Sequence, residues 1–235
     1  MTGAATLLSA ITTPTTLPSV TVNLQGVTKP SESVVIILVL SLLAVAPSLI
    51  ILLTGFVRSV VVLSLTRNAL GLSAVPPNQV LAGLALFISL FVMAPTISTI
   101  NHVAVQPYMG GKIDAVQAYD AAETPLKTWM LKQTRTPELE MFTQVTKEHP
   151  ASPQDVSMTA LVPAYILSEL HSAFIIGFVI FVPFLIIDLV VASVLMSMGM
   201  MMLPPTIISL PFKLLLFVLV DGWTLVAHSL LVSYR

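Results

Sequence analysis

The hydrophobic positions of this chain fall into four long runs, and most polar positions lie between the second and third. The runs cover residues 34–57, 80–100, 161–195 and 206–232. Each reaches or exceeds the ~20 residues needed to cross the hydrocarbon core of a bilayer. The pattern predicts an all-α integral membrane protein with two hydrophobic hairpins, residues 34–100 and 161–235, on either side of an insertion at 101–160.

Prolines interrupt each of the four runs, as Pro47, Pro95, Pro183 and Pro211. Proline removes a backbone donor and crowds the preceding turn of a helix. In lipid, the freed carbonyls need partners from neighbouring helices or from water. We therefore expect kinked or broken helical hairpins that pack against other subunits, assembled into a ring rather than a self-contained bundle.

The segment before the first run, residues 1–33, is rich in Thr, Ser and Pro. It does not open with the basic residues of a typical secretory signal. We expect a leader that is either flexible or a degenerate signal sequence.

Composition supports the membrane assignment and separates the insertion from the hairpins. The chain is 56% hydrophobic and only 9% charged, and 12 of its 21 charged residues lie between Lys112 and Asp155. Soluble domains average about 25% charged residues. The insertion is predicted to be a small, mostly helical, water-exposed unit, with short helices at residues 115–122 and 138–147.

Net charge and cysteine content exclude several function classes. A net charge of -1 provides no basic surface for nucleic acid, and the absence of cysteine excludes disulfides and thiolate chemistry. The sequence has no phosphate-binding glycine loop, no GxSxG and no HExxH motif. We expect no enzyme activity and no cofactor.

Orientation follows from the basic residues near the membrane runs. Arg58 and Arg67 lie between the first two runs, and residues 34–102 contain no Asp or Glu. By the positive-inside tendency this link faces the cytoplasm. The N-terminus and the insertion are then expected in the periplasm of a Gram-negative cell, with the hairpins in the inner membrane.

A methionine-rich segment joins the third and fourth runs. Five of the eleven methionines lie within seven residues, followed by Pro204 and Pro205, and the five are Met196, Met198, Met200, Met201 and Met202. Irregular backbone at membrane depth persists only where it is buried in protein or lines a cavity. Methionine is apolar and adaptable, so a ring of such loops could close a pore around a moving polypeptide. The alternative is a tight hairpin whose methionines fill gaps in a core.

Three ionisable residues lie deep in the third and fourth runs: Glu169, Asp188 and Lys213. A charge at the bilayer centre costs roughly 2.5–3.5 kcal/mol on insertion scales, so these residues need partners. Lys213 is expected to pair with Glu169 or Asp188, within or between subunits. An ion pair that specifies assembly is favoured over a proton relay.

A polar stripe occupies one face of the last run. Asp221, Thr224 and His228 follow the i, i+3, i+7 spacing of a helical face. Polar residues in an apolar run indicate a subunit contact or a watery lumen. No further ligands accompany His228, so the stripe does not predict a metal site.

Long stretches of the chain resemble the FliP family of flagellar export proteins, with the SctR proteins of injectisomes as close relatives. These stretches are LSELHSAFIIGFVIFVPFLIIDLVVASVLMSMGMMMLPP, ISLPFKLLLFVLVDGWTLVAHSL, LTGFVRSVVVLSLTRNALG and PPNQVLAGLALFISLFVMAP. Together they cover nearly everything from about residue 34 onward. MGMMMLPP and VLVDGW are more similar to the flagellar proteins than to the injectisome proteins.

The resemblance implies a specific role. FliP-like proteins form a pentamer-like ring with FliQ- and FliR-like subunits at the flagellar basal body, and the ring opens a channel for unfolded flagellar proteins. Met200, Met201 and Met202 match the family's methionine gasket, and Glu169 and Lys213 match positions of inter-subunit ion pairing. The alternatives are an injectisome gate subunit, a proton-coupled transporter of small molecules that would use Glu169, Asp188 and Lys213, or an intramembrane enzyme.

Overall fold

All regular secondary structure in the described part of the chain is helical. The structure is a computed structural model, and it describes residues 32–200 and 202–234. Nearly all of the predicted leader, together with Met201, lies outside these ranges. The helices are α1 (Glu32–Leu52), α2 (Phe56–Ala69), α3 (Asn78–Ile100), α4 (Gln106–Met109), α5 (Ala115–Gln133), α6 (Thr136–Thr146), α7 (Met158–Ser197), α8 (Pro205–Leu219) and α9 (Gly222–Val232).

The chain divides into two compact units, residues 1–45 and residues 46–235. The described part of the first unit is the beginning of α1, where Val34, Ile37 and Leu40 are exposed. In the second unit α1 ends at Leu52, and a short turn leads into α2 at Phe56. The first apolar run therefore forms two helices instead of one.

The second unit is built around α2, which packs between α3, α7 and α9. Its buried side chains Val62 and Leu63 belong to one apolar cluster with Leu81 of α3, Ala173 of α7 and Leu230 of α9. The side chain of Arg58, near the start of α2, is also buried. Because a helix packed on three sides has little surface left for water, α2 belongs to the interior of the fold and not to a loop between two spans.

Two further apolar clusters mark the two ends of this interior. Towards the insertion, Met93 of α3 packs with Trp129 of α5 and Tyr165 of α7. At the other end, Leu70 after α2 packs with Phe184 of α7 and Phe217 of α8. The α2–α3 link and the insertion therefore lie at opposite ends of the packed helices.

Helix α7 is a single helix of 40 residues. At 1.5 Å per residue it is about 60 Å long, twice the ~30 Å of a bilayer core. Beyond Phe184, where α2 ends, it continues for about 20 Å and returns through α8. The methionine segment forms the tip of this protruding α7–α8 hairpin.

Of the kinks or breaks expected at the prolines of the apolar runs, no break occurs at Pro95, Pro183 or Pro211, because each lies inside a continuous helix. Kinks at these prolines stay a prediction. The fourth run does break, but at Asp221, which adopts a left-handed conformation with φ 50°. Helices α8 and α9 meet there at 63°. A helix that continues through a proline leaves one backbone carbonyl without its hydrogen bond, whereas a break in apolar surroundings leaves several backbone groups without partners. The continuous helix is therefore the less costly arrangement.

The insertion is helical, as predicted, and its two helices are longer than expected. The segments at 115–122 and 138–147 correspond to α5 (Ala115–Gln133) and α6 (Thr136–Thr146). The insertion returns to the apolar region through a cap on α7, where Ser157 donates its backbone N–H to Glu148 Oε2 at 3.0 Å. Hydrogen bonds from Ser157 lower the pKa of the Glu148 carboxyl.

Helices long and apolar enough to cross a membrane are present in the described residues. Two helical stretches, Asn78–Met109 and Met158–Ser197, have this length and composition. The bent α8–α9 pair makes a third if it crosses as one broken span. The first of them continues α3 through a π-helical turn, Asn101–Val105, into α4. Exposed Phe87, Phe91, Phe174 and Phe178 cover their outer surfaces. This arrangement is that of a polytopic helical membrane protein.

The close contact of α2 and α7 at Gly177 provides a test of the fold. A Cβ on Gly177 would lie 2.3 Å from Leu65 Cδ1 and 3.1 Å from Leu65 Cβ. We expect Gly177→Ala to lower stability by about 1–3 kcal/mol through overpacking. The midpoint of thermal unfolding in detergent measures this.

Gly83 on α3 is the matched control, because a Cβ there has no atom within 4 Å. Gly83→Ala should leave the midpoint unchanged or raise it, since alanine is the better helix former by roughly 1 kcal/mol. Equal midpoints for the two variants would contradict the close packing of α2 against α7.

Candidate functional site

A buried ion pair between Arg58 and Glu169 joins α2 to α7. Arg58 Nε donates to Glu169 Oε2 at 3.0 Å, and Arg58 Nη2 donates to Glu169 Oε1. The side chains are 3% and 0% exposed. A bidentate arginine–carboxylate pair fixes geometry as well as charge, so it sets how the two helices face each other.

The same guanidinium holds the segment that follows α9. Arg58 Nη1 donates to the backbone oxygen of Ser233 at 2.7 Å and to its hydroxyl at 3.1 Å. Arg58 Nη2 also reaches Gln133 Oε1 of α5 at 3.4 Å. All five guanidinium donors are therefore used, and they connect α2, α7, the insertion and the chain after α9.

Tyr234 closes this cluster. Its ring lies 4.2 Å from the Arg58 guanidinium carbon, stacks on Trp129 with centroids 5.9 Å apart, and its hydroxyl donates to the Gly55 carbonyl at 2.6 Å. Burial, followed by the nearby Glu169 carboxylate, raises the pKa of the Tyr234 hydroxyl. The hydroxyl therefore stays protonated and remains a donor to the turn between α1 and α2.

Sequence reasoning missed this cluster. It treated Arg58 as a loop charge that sets orientation, but Arg58 is buried inside α2. The membrane orientation was predicted from Arg58 and Arg67, and of these two only Arg67 is partly exposed near the α2–α3 link. The periplasmic placement of the insertion therefore stays a prediction that rests on one residue. One feature of the sequence could have revealed the cluster: Arg58 stands alone among apolar residues. An arginine in such surroundings indicates an oppositely charged partner inside the fold.

A second ion pair lies at the base of the α7–α8 hairpin. Lys213 Nζ donates to Asp188 Oδ2 at 2.6 Å and to the Ala69 carbonyl, at the end of α2, at 3.2 Å. Ser209 Oγ donates to the other Asp188 oxygen at 2.5 Å. A cation at the carboxyl end of α2 also interacts favourably with the dipole of that helix. This pair joins the protruding hairpin to the buried helix α2.

Within the chain, Glu169 and Lys213 do not pair with each other. Of the two partners expected for Lys213, the structure contains Asp188, and Glu169 is bound by Arg58 instead. The physical reason is position along the helices: Glu169 lies near the insertion end of α7, and Asp188 lies nineteen residues further on, near the α8 contact. Pairing of Glu169 and Lys213 between subunits stays a prediction.

The methionine segment is a structured turn at the tip of the hairpin. Gly199 has φ 76° and donates to the Met196 carbonyl at 3.0 Å, while Met200 N–H donates to the Leu195 carbonyl at 3.0 Å. These two bonds form a Schellman motif, which ends α7 at a residue that favours glycine. Pro205 then starts α8 at its first position.

The described methionines of this turn do not fill a core within the chain. Met196, Met198, Met200 and Met202 are 63%, 66%, 40% and 98% exposed. In this single chain the alternative of methionines packed inside a hairpin therefore does not hold for these four.

The polar stripe on α9 is exposed. Asp221, Thr224 and His228 all have exposed side chains. Asp221 precedes α9, yet its side chain accepts no capping hydrogen bond from the helix. Residues 32–200 and 202–234 contain no cluster of three His, Cys, Asp or Glu that could hold a metal ion.

The fold and these two ion pairs define a polytopic helical membrane protein with a protruding, methionine-tipped hairpin. A sequence model of the FliP family matches residues 39–230, most of the chain. The chain belongs to the FliP family, which confirms the resemblance seen in the sequence.

Curated relatives share about half of the aligned residues. The flagellar biosynthetic protein FliP of Bacillus subtilis is 56% identical over 205 residues, which cover 87% of this chain and 93% of the relative. FliP of Caulobacter vibrioides is 47% identical over 92% of this chain and 82% of the relative. FliP of Aquifex aeolicus is 45% identical over 87% of each. The chain is therefore a flagellar biosynthesis protein of the export apparatus, and this family is not a known enzyme family.

The two ion pairs predict which charge swap restores the fold. Lys213→Glu places a like charge beside Asp188, and breaking a buried pair costs on the order of 3–5 kcal/mol. Adding Asp188→Lys should recover part of the stability, although the bond to the Ala69 carbonyl stays lost. Unfolding midpoints in detergent measure the recovery.

Glu169→Lys in the Lys213→Glu background is the comparison variant. It should lower stability further, because the introduced ammonium group would face the Arg58 guanidinium. Recovery by Glu169→Lys greater than that by Asp188→Lys would mean that the pairs are assigned wrongly.

Proposed function

We propose that this chain is a core subunit of the flagellar export gate. Copies of it form a pentamer-like ring with FliQ- and FliR-like subunits in the bacterial inner membrane, and the ring surrounds a channel for unfolded flagellar proteins. Family membership supports the export role. The observation that carries the channel role is the methionine turn, whose described side chains are exposed at the tip of an apolar hairpin.

The proposed role of the turn is that of a gasket. Met202 is 98% exposed and Met198 66%, on a backbone fixed by a Schellman motif. Unbranched thioether side chains adapt to irregular surfaces, and a ring of apolar side chains excludes water and ions from a narrow pore. Adaptable side chains at this turn would seal the pore around a moving polypeptide whatever the sequence of that polypeptide.

The surface of the hairpin is consistent with assembly. Its exposed face is mainly apolar, with large side chains such as Ile186, Leu189, Val190, Ile208 and Phe212. In this region the charged groups of Asp188 and Lys213 are paired with each other. A hairpin of this kind requires either lipid or other subunits around it, and copies arranged side by side would bring the methionine turns together.

The flagellar form of the proposal is preferred over an injectisome subunit. The relatives from Bacillus subtilis, Caulobacter vibrioides and Aquifex aeolicus are each described as flagellar biosynthetic proteins. A proton-coupled transporter gains no support from the ion pairs, since the carboxylates of Glu169 and Asp188 are each bound to a cation within the chain.

Replacing Met200, Met201 and Met202 by alanine tests the gasket. We expect the assembled complex to form normally while its resting ion conductance rises several-fold, because shorter side chains leave the pore open. Single-channel recording of the purified complex in a planar bilayer measures the conductance, and native gels measure assembly.

Met109→Ala and Met141→Ala are matched controls, since both methionines are exposed but lie outside the turn, in α4 and α6. Neither should change the conductance. An unchanged conductance in the triple variant, with assembly intact, would refute the gasket role.

A further inference from the structure

A cleft of about 590 Å³ opens between the α2–α3 link and the break between α8 and α9. Leu72, Val75 and Pro76 line it from the link, and Val218 and Trp223 line it from the break. Val75 is 65% exposed and Val218 is 74% exposed. Pockets of about 300–1,000 Å³ hold whole small molecules, so this cleft has room for several side chains of an inserted segment.

Asp221 lies in the wall of this apolar cleft. Its backbone is left-handed, with φ 50° and ψ 55°, and the 63° bend between α8 and α9 occurs at this residue. The side chain makes no capping bond to α9, so helix capping does not account for an aspartate here. Aspartate is among the few non-glycine residues that adopt this conformation readily.

Asp221 differs from the other two carboxylates of α7–α9. Glu169 is bound by Arg58, and Asp188 is bound by Lys213 and Ser209. Across residues 32–200 and 202–234, Asp221 has no salt bridge. An apolar surface that covered the cleft without bringing a cation would strip water from this carboxylate, which is costly. A lysine or arginine on the segment that covers the cleft would compensate for this loss of water.

We propose that this cleft receives an apolar segment of a different membrane subunit, which brings a lysine or arginine to the Asp221 carboxylate. The inference rests on the proposed multi-subunit gate and adds to it the contact chemistry of one partner. Apolar side chains of that segment cover Val218 and Leu72, and its cation replaces the water around Asp221. The ion pair then gives the contact its specificity, since an apolar segment without the charge is rejected.

Within residues 32–200 and 202–234, a second copy of this chain offers no free lysine or arginine close to the cleft, and Arg135 of the insertion is paired with Glu138. Arg58 and Lys213 are buried in their own pairs, and Arg67 is bound to the Pro76 carbonyl and Asn78. The lysines of the insertion, Lys112, Lys127, Lys132 and Lys147, lie at the other end of α3, a helix of 23 residues that is about 35 Å long. Copies that share one orientation in the membrane keep these lysines away from the cleft.

Thiol labelling tests the occupancy of the cleft, because the chain has no cysteine of its own. Val218→Cys places one thiol in the cleft, and a membrane-permeant maleimide reports its exposure to water. We expect the thiol to react in the purified chain and to be protected several-fold in cells that contain the complete export apparatus. Protection should disappear when Asp221→Lys is added.

Two controls separate the contact from folding. Val145→Cys, 73% exposed on α6, should react equally in all backgrounds and reports that the chain is present and reached by the reagent. Asp120→Lys reverses an exposed carboxylate of the insertion and should leave the Val218→Cys thiol protected. Asp221→Asn, which removes the charge without adding bulk, should give partial loss of protection.

Three results would contradict the proposed contact in the cleft without contradicting the proposed function as a gate subunit. Free reaction of the Val218→Cys thiol in complete apparatus means that the cleft is open. Protection that survives Asp221→Lys means that no cation is needed, and protection that survives removal of the other membrane subunits means that lipid or a second copy fills the cleft. The conductance of the methionine variants reports on the gate independently.

Discussion

The bidentate pair of Arg58 and Glu169 is the contact on which the rest of this fold depends. It joins α2 to α7, and the other donors of the same guanidinium hold the chain after α9 and Gln133 of the insertion. A buried ion pair contributes little net stability, because desolvation offsets attraction, but removing one member is severely destabilising. The main effect of the pair is therefore on specificity: both charges are satisfied when α2, α7, α5 and the chain after α9 are arranged as they are here.

Within the second unit, the two ends of the packed helices differ in how much of their surface is buried. Near the insertion, Tyr234, Trp129 and Tyr165 close a core around the ion pair. At the opposite end, the α7–α8 hairpin projects about 20 Å past the end of α2 with its methionines exposed, and Asp221 faces an open cleft. Among the described residues, apolar and charged groups are therefore well buried near the insertion and remain exposed at the opposite end, which is consistent with the proposed gate assembly.

Hydropathy predicted the helices of the second, third and fourth runs and the insertion, because the choice between lipid-facing helix and polar segment is made locally along the sequence. It took most of α2 for a link between two spans, although α2 is a buried helix. It left the partner of Lys213 open between Glu169 and Asp188, and it did not predict that Arg58 binds Glu169. Arg58 and Glu169 are 111 positions apart, and only the depth at which each helix places its side chain brings them together. Proline was also a poor guide to helix breaks: α7 is continuous through Pro183, whereas the fourth run bends at Asp221, whose backbone is left-handed. The methionine segment was recognisable because its composition is unusual in itself.

A double-mutant cycle on Arg58 and Glu169 tests the central role of this pair most directly. The free energies of unfolding in detergent would be measured for Arg58→Met, Glu169→Leu and the double variant. Each single change leaves one buried charge unpaired and should cost about 3–5 kcal/mol, while the double variant should cost far less than the sum. Strict additivity of the two single losses would show that the residues do not depend on each other and would contradict the account.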